Sequence, residues 1–190
     1  EALGKLAKAA AVIACAPVLA VALYDCCGFS QPLVLAIPET PVEPRWNIAP
    51  STAAWVIAHD GHGGAKAGAM RWGLVPHWAP DAKGGFSTIN ARLETAAEKP
   101  AFRDPWQRRR CLVPANGFFE WRGVRKRPYW LTASEPLLYL AGIWEAYPVQ
   151  GREYLSLALI THAAGVQRRP LLLADSAHRQ WLDNASSSVQ

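Results

Sequence analysis

The sequence has no Cys-x-x-Cys pair, and its five histidines are not spaced as zinc ligands, so the common structural zinc centres are excluded. Its four cysteines, Cys15, Cys26, Cys27 and Cys111, do not suggest a disulfide framework, because neighbouring Cys26 and Cys27 cannot bond each other without strain. A reducing, cytoplasmic setting is the better match. Charged residues make up only 18% of the chain against 51% hydrophobic, which excludes a disordered polypeptide. No internal repeat is present. The longest apolar run, Ala9 to Tyr24, falls short of the about 20 residues a membrane-spanning helix needs.

What is present is unusual for 190 residues: nine tryptophans and fifteen prolines, which point to a rigid, loop-rich fold containing β-structure. The net charge is +5, and residues 1–25 contribute none of it, since Glu1 and Asp25 cancel Lys5 and Lys8. The positive charge therefore belongs to the body, residues 26–190. That charge is compatible with an anionic partner such as nucleic acid, but it does not by itself require one. The first segment, residues 1–25, admits three descriptions, one of them a stretch that is not native coding sequence. Lys5 and Lys8 ahead of an apolar run that holds Ala20-Val21-Ala22 resemble an export signal. An Ala-rich helix packed on the domain fits equally well.

Along the body, "IPETPVEPRWNIAPS" (37–51) is extended and proline-punctuated. "AAWVIAH" predicts a strand, "GHGGAKAG" a turn, and "AMRWGLVPHWAP" a short aromatic strand. "STINARLET" predicts another strand, and "ETAAEKPAFRDPWQRR" contains a short helix. "RCLVPANGFFEWRG" gives two short strands around a turn. "KRPYWLTA", "LLYLAGIWEA" and "EYLSLALITHAA" predict strands, and "SAHRQWLDNAS" a closing helix. Many short strands with few helices predict an α+β domain built around a mainly antiparallel, barrel-like core with short peripheral helices.

Polar residues inside these strands are the candidates for chemistry. Asn90 and Arg92 are two apart, so on a strand they share a face, with Ile89, Ala91 and Leu93 on the other. An amide beside a guanidinium suits an oriented anion or carbonyl, and a solvated strand face explains the pattern as well. Glu120 stands between Phe119 and Trp121, where desolvation predicts a raised pKa and a general acid. Facing water or pairing with an arginine are the alternatives. Aromatics recur beside cations, as in Arg71-Trp72, Trp121-Arg122 and Arg127-Pro128-Tyr129-Trp130, the pairing by which single strands of nucleic acid are held. Several of the nine tryptophans must nevertheless be core.

Read in order, "RWNIAPS", "RWGLVPHWA", "STINARLETAAEKPAFR", "RCLVPANGFFEW" and "RRPLLL" resemble the SOS-response-associated peptidase family of abasic-site processing proteins, chiefly between Arg45 and Glu145. The resemblance implies a compact α+β domain with a positively charged cleft that captures abasic sites in single-stranded DNA. It implies an N-terminal cysteine whose amine forms a Schiff base with the opened sugar and whose thiol closes a thiazolidine. An associated peptidase activity would free that cysteine. It implies neither metal nor organic cofactor, and a cytoplasmic, nucleoid-associated monomer is expected.

By matching motif, Cys27 would be the nucleophile, Asn90 would orient its amine and the sugar, and Glu120 would move protons. Arg92 would hold a phosphate. Trp72, Trp121 and Pro50 would stack on or wedge between the flanking bases. Two departures stand out. Twenty-six residues precede Cys27, and Val166 in "VQRRP" stands where the family carries a histidine. They leave a second expectation open, a relative that binds single-stranded or damaged DNA without covalent chemistry.

Overall fold

The computed structural model describes residues 47–61, 64–82, 87–122, 127–134, 137–165 and 167–183. Cys27, Val166 and the segment 1–25 lie outside them. Strand β1 (Ala53–His59) turns back into β2 (Ala65–Trp72), antiparallel from Ala53 opposite Arg71 to His59 opposite Ala65. Strand β3 (Asn90–Arg92) follows, then helix α1 (Arg103–Arg108) and strands β4 (Arg110–Ala115), β5 (Phe118–Arg122) and β6 (Arg127–Leu131). Strands β7 (Leu138–Val149) and β8 (Arg152–Ala164) form a long hairpin, and β9 (Gln167–Pro170) and helix α2 (Asp175–Leu182) close the chain.

Five of these strands make a ring. The antiparallel series β2-β1-β4-β7-β8 returns on itself through a parallel pairing of β2 with β8, Arg71 opposite Ser156 and Trp72 opposite Leu157. The result is a closed mixed barrel, as the sequence predicts, with β3 parallel to β8 at Asn90 opposite Leu159 through Arg92 opposite Thr161. Closure leaves no free ladder edge on these five strands, which removes a route to aggregation.

Apolar residues occupy both faces of the wall. One cluster holds Val56, Ala58, Trp72, Val113, Leu140, Leu157 and Leu159, with Phe118 from β5, and includes no helix residue. The other holds Ile57, Leu112, Ile143 and Ile160, with Trp181 and Leu182 of α2 and Trp106 of α1 packed against it. Helices have no room inside a five-strand barrel, so the second cluster is the outer face and the first is the interior. This explains near-continuous apolar runs such as Arg110–Ala115, buried at all six positions, where a half-exposed strand would alternate. Each large side chain so buried contributes about 1.5–3 kcal/mol.

Interior packing is close where β4 meets β7. A Cβ on Gly142 would lie 3.0 Å from Cys111 Sγ and 3.3 Å from Val113 Cγ2, so glycine lets the strands approach. Cys111 is fully enclosed there, and burial pushes its thiol pKa well above the ordinary range. On the outside, the Trp106 and Trp181 rings meet edge to face at 5.5 Å, and Trp181 Nε1–H donates to Cys111 O at 2.9 Å. These contacts fix both helices to β4.

Two strand expectations need correction. Ala65–Gly68, expected as turn, belong to β2, because pairing with β1 imposes extension on small residues of low β propensity. "STINARLET" is a strand only at Asn90–Arg92 and then coils through turns stitched by Ala96 N–H to Arg92 O and Lys99 N–H to Thr95 O. "RCLVPANGFFEWRG" gives the two short strands expected, and they part company: β4 enters the barrel, while among the described strands β5 pairs with β6 in a separate two-stranded sheet.

Candidate functional site

Strand β9 is too polar to be read as a strand from sequence, and it organises the site. It pairs with β8 from Thr161 opposite Pro170 to Ala164 opposite Gln167, and Gly165 just past the end of β8 has φ +63°. Its side chains alternate. Gln167 and Arg169 reach β5: Gln167 Nε2 donates to Trp121 O at 3.2 Å, and Arg169 grips the Glu120 carboxylate. Arg168 turns the other way, donating to Thr161 O at 2.7 Å and to Glu94 Oε2 at 2.6 Å. Thr161 stands opposite Arg92 on the far edge of β8. One short strand therefore ties the β5–β6 hairpin on one side to the end of β3 on the other.

Glu120 is buried, with only 8% of its surface exposed. Arg169 Nε lies 2.9 Å from Oε2 and its Nη2 donates to Oε1 at 3.3 Å, while Arg122 Nε donates to Oε1 at 3.2 Å. Desolvation acts to raise the carboxyl pKa, but hydrogen bonds and charge from Arg122 and Arg169 outweigh it and hold the pKa below the usual carboxylate value. The expected raised pKa is thus reversed. The aromatic neighbours of Glu120 in sequence point off the other side of the strand, and the residues that face it are cations. Glu120 is an ionised acceptor, suited to facing a developing positive charge.

The other predicted residues separate into three groups. Asn90 is half-buried and Arg92 is exposed, with buried Ala91 between them. Among the described residues neither side chain has a hydrogen bond or ion pair, which leaves the Arg92 guanidinium open to an anion. Pro50 and Trp121 are half-buried. Pro50 sits in a turn in which Thr52 Oγ1–H donates to Ala49 O at 2.7 Å, tied to the end of β2 by Ser51 N–H to Trp72 O at 2.7 Å. Trp72 is different. Its ring is 2% exposed in the barrel interior and its Nε1–H donates to Ile89 O at 2.8 Å. A base cannot stack on a ring with no exposed face, so Trp72 supports the wall beneath the site.

Sequence reasoning missed Arg168, Arg169 and Arg122 as site residues. "RRP" carried the first two and Trp121-Arg122 the third, but nothing in their spacing said which face each would take. A second polar cluster was also missed. His77, Asp104 and Glu145 bring one donor atom each within 4.8 Å of one another, on the loop after β2, α1 and β7. Arg109 Nη2 lies 3.0 Å from both Glu145 oxygens and bonds Asp104 Oδ2, while His77 Nδ1 lies 3.1 Å from Glu145 Oε2. A guanidinium already fills the position between the two carboxylates where a cation would sit. The cluster pins α1 and the 76–80 loop to β7.

The model of a family described as SOS response associated peptidase (SRAP) matches residues 27–190. The abasic site processing protein YoqW of Bacillus subtilis strain 168 is 35% identical over 158 residues, covering 77% of this chain and 70% of its own. The abasic site processing protein YedK of Escherichia coli K12 is 33% identical over 158 residues, covering 77% of this chain and 68% of its own. Among solved structures, a protein from Bacteroides thetaiotaomicron superposes with a TM-score of 0.76 at 25% identity, over 93% of this chain and 81% of its own. No helix among the described residues is long and apolar enough to cross a membrane.

Proposed function

The chain belongs to the SOS response associated peptidase family, and from that premise we propose that it processes abasic sites in single-stranded DNA by covalent capture at Cys27. The observation that carries this reading is the buried, ionised Glu120, clamped by two arginines on a hairpin that β9 ties to the strand bearing Asn90 and Arg92.

The steps follow from the chemistry of each group. Removal of residues 1–26 by the associated peptidase activity converts the Cys27 amide nitrogen into a free amine. The α-amine, whose ordinary pKa is about 8, is partly unprotonated near neutral pH and is the nucleophile, and ionised Glu120 accepts its hydrogen bond. The amine adds to the C1′ aldehyde of the ring-opened sugar, and loss of water gives a Schiff base. Its positive charge faces the Glu120 carboxylate. The Cys27 thiolate then adds to the imine carbon and closes a five-membered thiazolidine. Asn90 orients the amine and sugar, Arg92 takes a neighbouring phosphate, and Trp121 and Pro50 meet the flanking bases. The protein acts as a monomer in the cytoplasm, on nucleoid DNA.

The test is a chain beginning at Cys27, incubated with a single-stranded oligonucleotide carrying one abasic site. A product that survives denaturation is expected, and acetylating the α-amine abolishes it. No product from the free-amine chain would sink the covalent reading.

A second reading, a non-covalent binder of single-stranded or damaged DNA, draws on Val166 in place of the family histidine and on the saturated carboxylate of Glu120. It predicts salt-dependent binding, weakened by Arg92→Ala, with no adduct.

A further inference from the structure

The inward face of the β5–β6 hairpin gathers more positive charge around Glu120 than ionisation requires. Tyr129 stands directly opposite Glu120 on β6, and Arg127 stands opposite Arg122. Arg169 enters from β9. The charged or titratable residues that face Glu120 are therefore Arg122 on β5, Tyr129 and Arg127 on β6, and Arg169 on β9. An ordinary glutamate carboxyl, with a pKa of 4.5, is ionised near neutral pH with no arginine beside it. One guanidinium suffices to orient it. Two guanidiniums fill it.

A carboxylate offers about four lone-pair sites on its two oxygens. Here each oxygen meets both arginines. Oε1 lies 3.2 Å from Arg122 Nε and 3.3 Å from Arg169 Nη2. Oε2 lies 2.9 Å from Arg169 Nε and 3.5 Å from Arg122 Nη2. No acceptor position is left for an amine, although the proposed capture needs that hydrogen bond. One arginine must give way, and the geometry tells the two apart. Arg169 makes the closest contact, and its Nε has no surface open to water. Its strand is tied to the hairpin a second time by Gln167 Nε2 donating to Trp121 O. Arg122 makes the longest contact, sits at the last paired position of β5 and is 42% exposed. Arg127, a like charge directly opposite, disfavours its position. A second seat lies beside it, because its Cζ is 5.6 Å from the Tyr129 ring, within reach of cation–π attraction. An ion pair this open to water is weak enough to exchange.

We propose that Arg122 is a gate on Glu120: a positioning residue that caps the carboxylate in the free protein and swings off it, onto the Tyr129 ring, to admit an amine. The proposal rests on the reading of Glu120 as acceptor for the Cys27 amine, and it adds the step that frees the acceptor. Arg169 stays in place and keeps the carboxylate oriented. With the gate closed, stray amines and cations in solution meet a carboxylate that is already filled.

The gate is tested in two ways. In the full chain, hydrogen exchange at the arginine Nε–H groups is followed by heteronuclear NMR, with the signals assigned by their loss in Arg122→Lys and Arg169→Lys. The Arg122 Nε–H is expected to exchange about tenfold faster than that of Arg169. Equal rates, or slower exchange at Arg122, overturn the gate, and this result needs neither DNA nor a folded alanine variant. In the chain beginning at Cys27, the rate constant for adduct formation is read at saturating abasic oligonucleotide. Arg122→Ala raises it about threefold, by removing a competitor for the carboxylate, while Arg169→Ala lowers it. A merely structural role for both arginines would slow both variants, so a folded Arg122→Ala protein that reacts more slowly overturns the gate. Absence of adduct from every variant rejects covalent capture alone, and the exchange rates then decide whether Arg122 opens.

Discussion

The barrel and the β5–β6 hairpin are built on opposite principles. The barrel strands pair on both sides and carry buried apolar residues on both faces. The hairpin pairs only with itself over five residue pairs and buries Phe118 and Glu120, but presents Tyr129 and Trp130 to water. Ladder hydrogen bonds and apolar area hold the first, and an ionic clasp to β9 holds the second. Chemistry that needs charge and open aromatic surface has no place in the barrel wall, so it gathers on the clasped element, and the wall fixes where that element sits.

The largest effect that would sharpen this contrast is in the barrel. Leu112→Ala removes a fully buried side chain from the layer under α2 and is expected to cost about 2–5 kcal/mol of global stability, read as a lower urea midpoint. Oligonucleotide binding by the folded fraction stays unchanged. Gly117→Ala is next, at about 1–3 kcal/mol, since its Cβ meets both the Trp130 ring and Leu131 O at 2.6 Å, and backbone cannot step aside. Here the loss should be local. Hydrogen exchange speeds up in Phe118–Leu131 while β7 and β8 keep their protection. Equal loss of protection in both regions would break the distinction between wall and clasp.

Arg169→Ala removes half the clasp on Glu120, for about 1–2 kcal/mol after allowing for the 38% exposure of Arg169. Its signature is pH dependence. The folded-state pKa of Glu120 lies below its ordinary value, so its contribution is fully present above that value and disappears as pH falls through the depressed one. Hairpin protection should therefore outlast pH 4.5 in the unaltered protein and begin to fail at higher pH in Arg169→Ala. The smallest effect belongs to the other arginine. Its partner Glu94 has a pKa lowered to about 2, mainly by the Arg168 hydrogen bond, but that pair is solvent-exposed. Arg168→Ala should leave the urea midpoint almost unmoved.

Strand β1 is legible to the residue, because its apolar content and the Gly-rich turn after it are local signals. Strand β9 is not, since "QRRP" has no apolar alternation and becomes a strand only because β8 supplies a partner. The family resemblance and the barrel came through because they rest on many residues in order. For Glu120 the sequence pointed to the wrong sign of pKa shift. Its sequence neighbours are rings, while its neighbours in space are Arg169, 49 positions away, and Arg122. Trp72 failed for the complementary reason: nothing local distinguishes a tryptophan that faces a base from one that faces Leu157 across a ladder.

The enclosure of Cys111 has a practical consequence for anyone following maturation. Under the proposed processing, loss of residues 1–26 would also remove Cys15 and Cys26, leaving two thiols in the chain, one of them sealed in the barrel with its ionisation suppressed. A maleimide added to the native, trimmed protein then reports on Cys27 alone. Labelling stoichiometry falling from one toward zero as lesion is added becomes a direct titration of thiazolidine closure, with no substitution needed to silence the background.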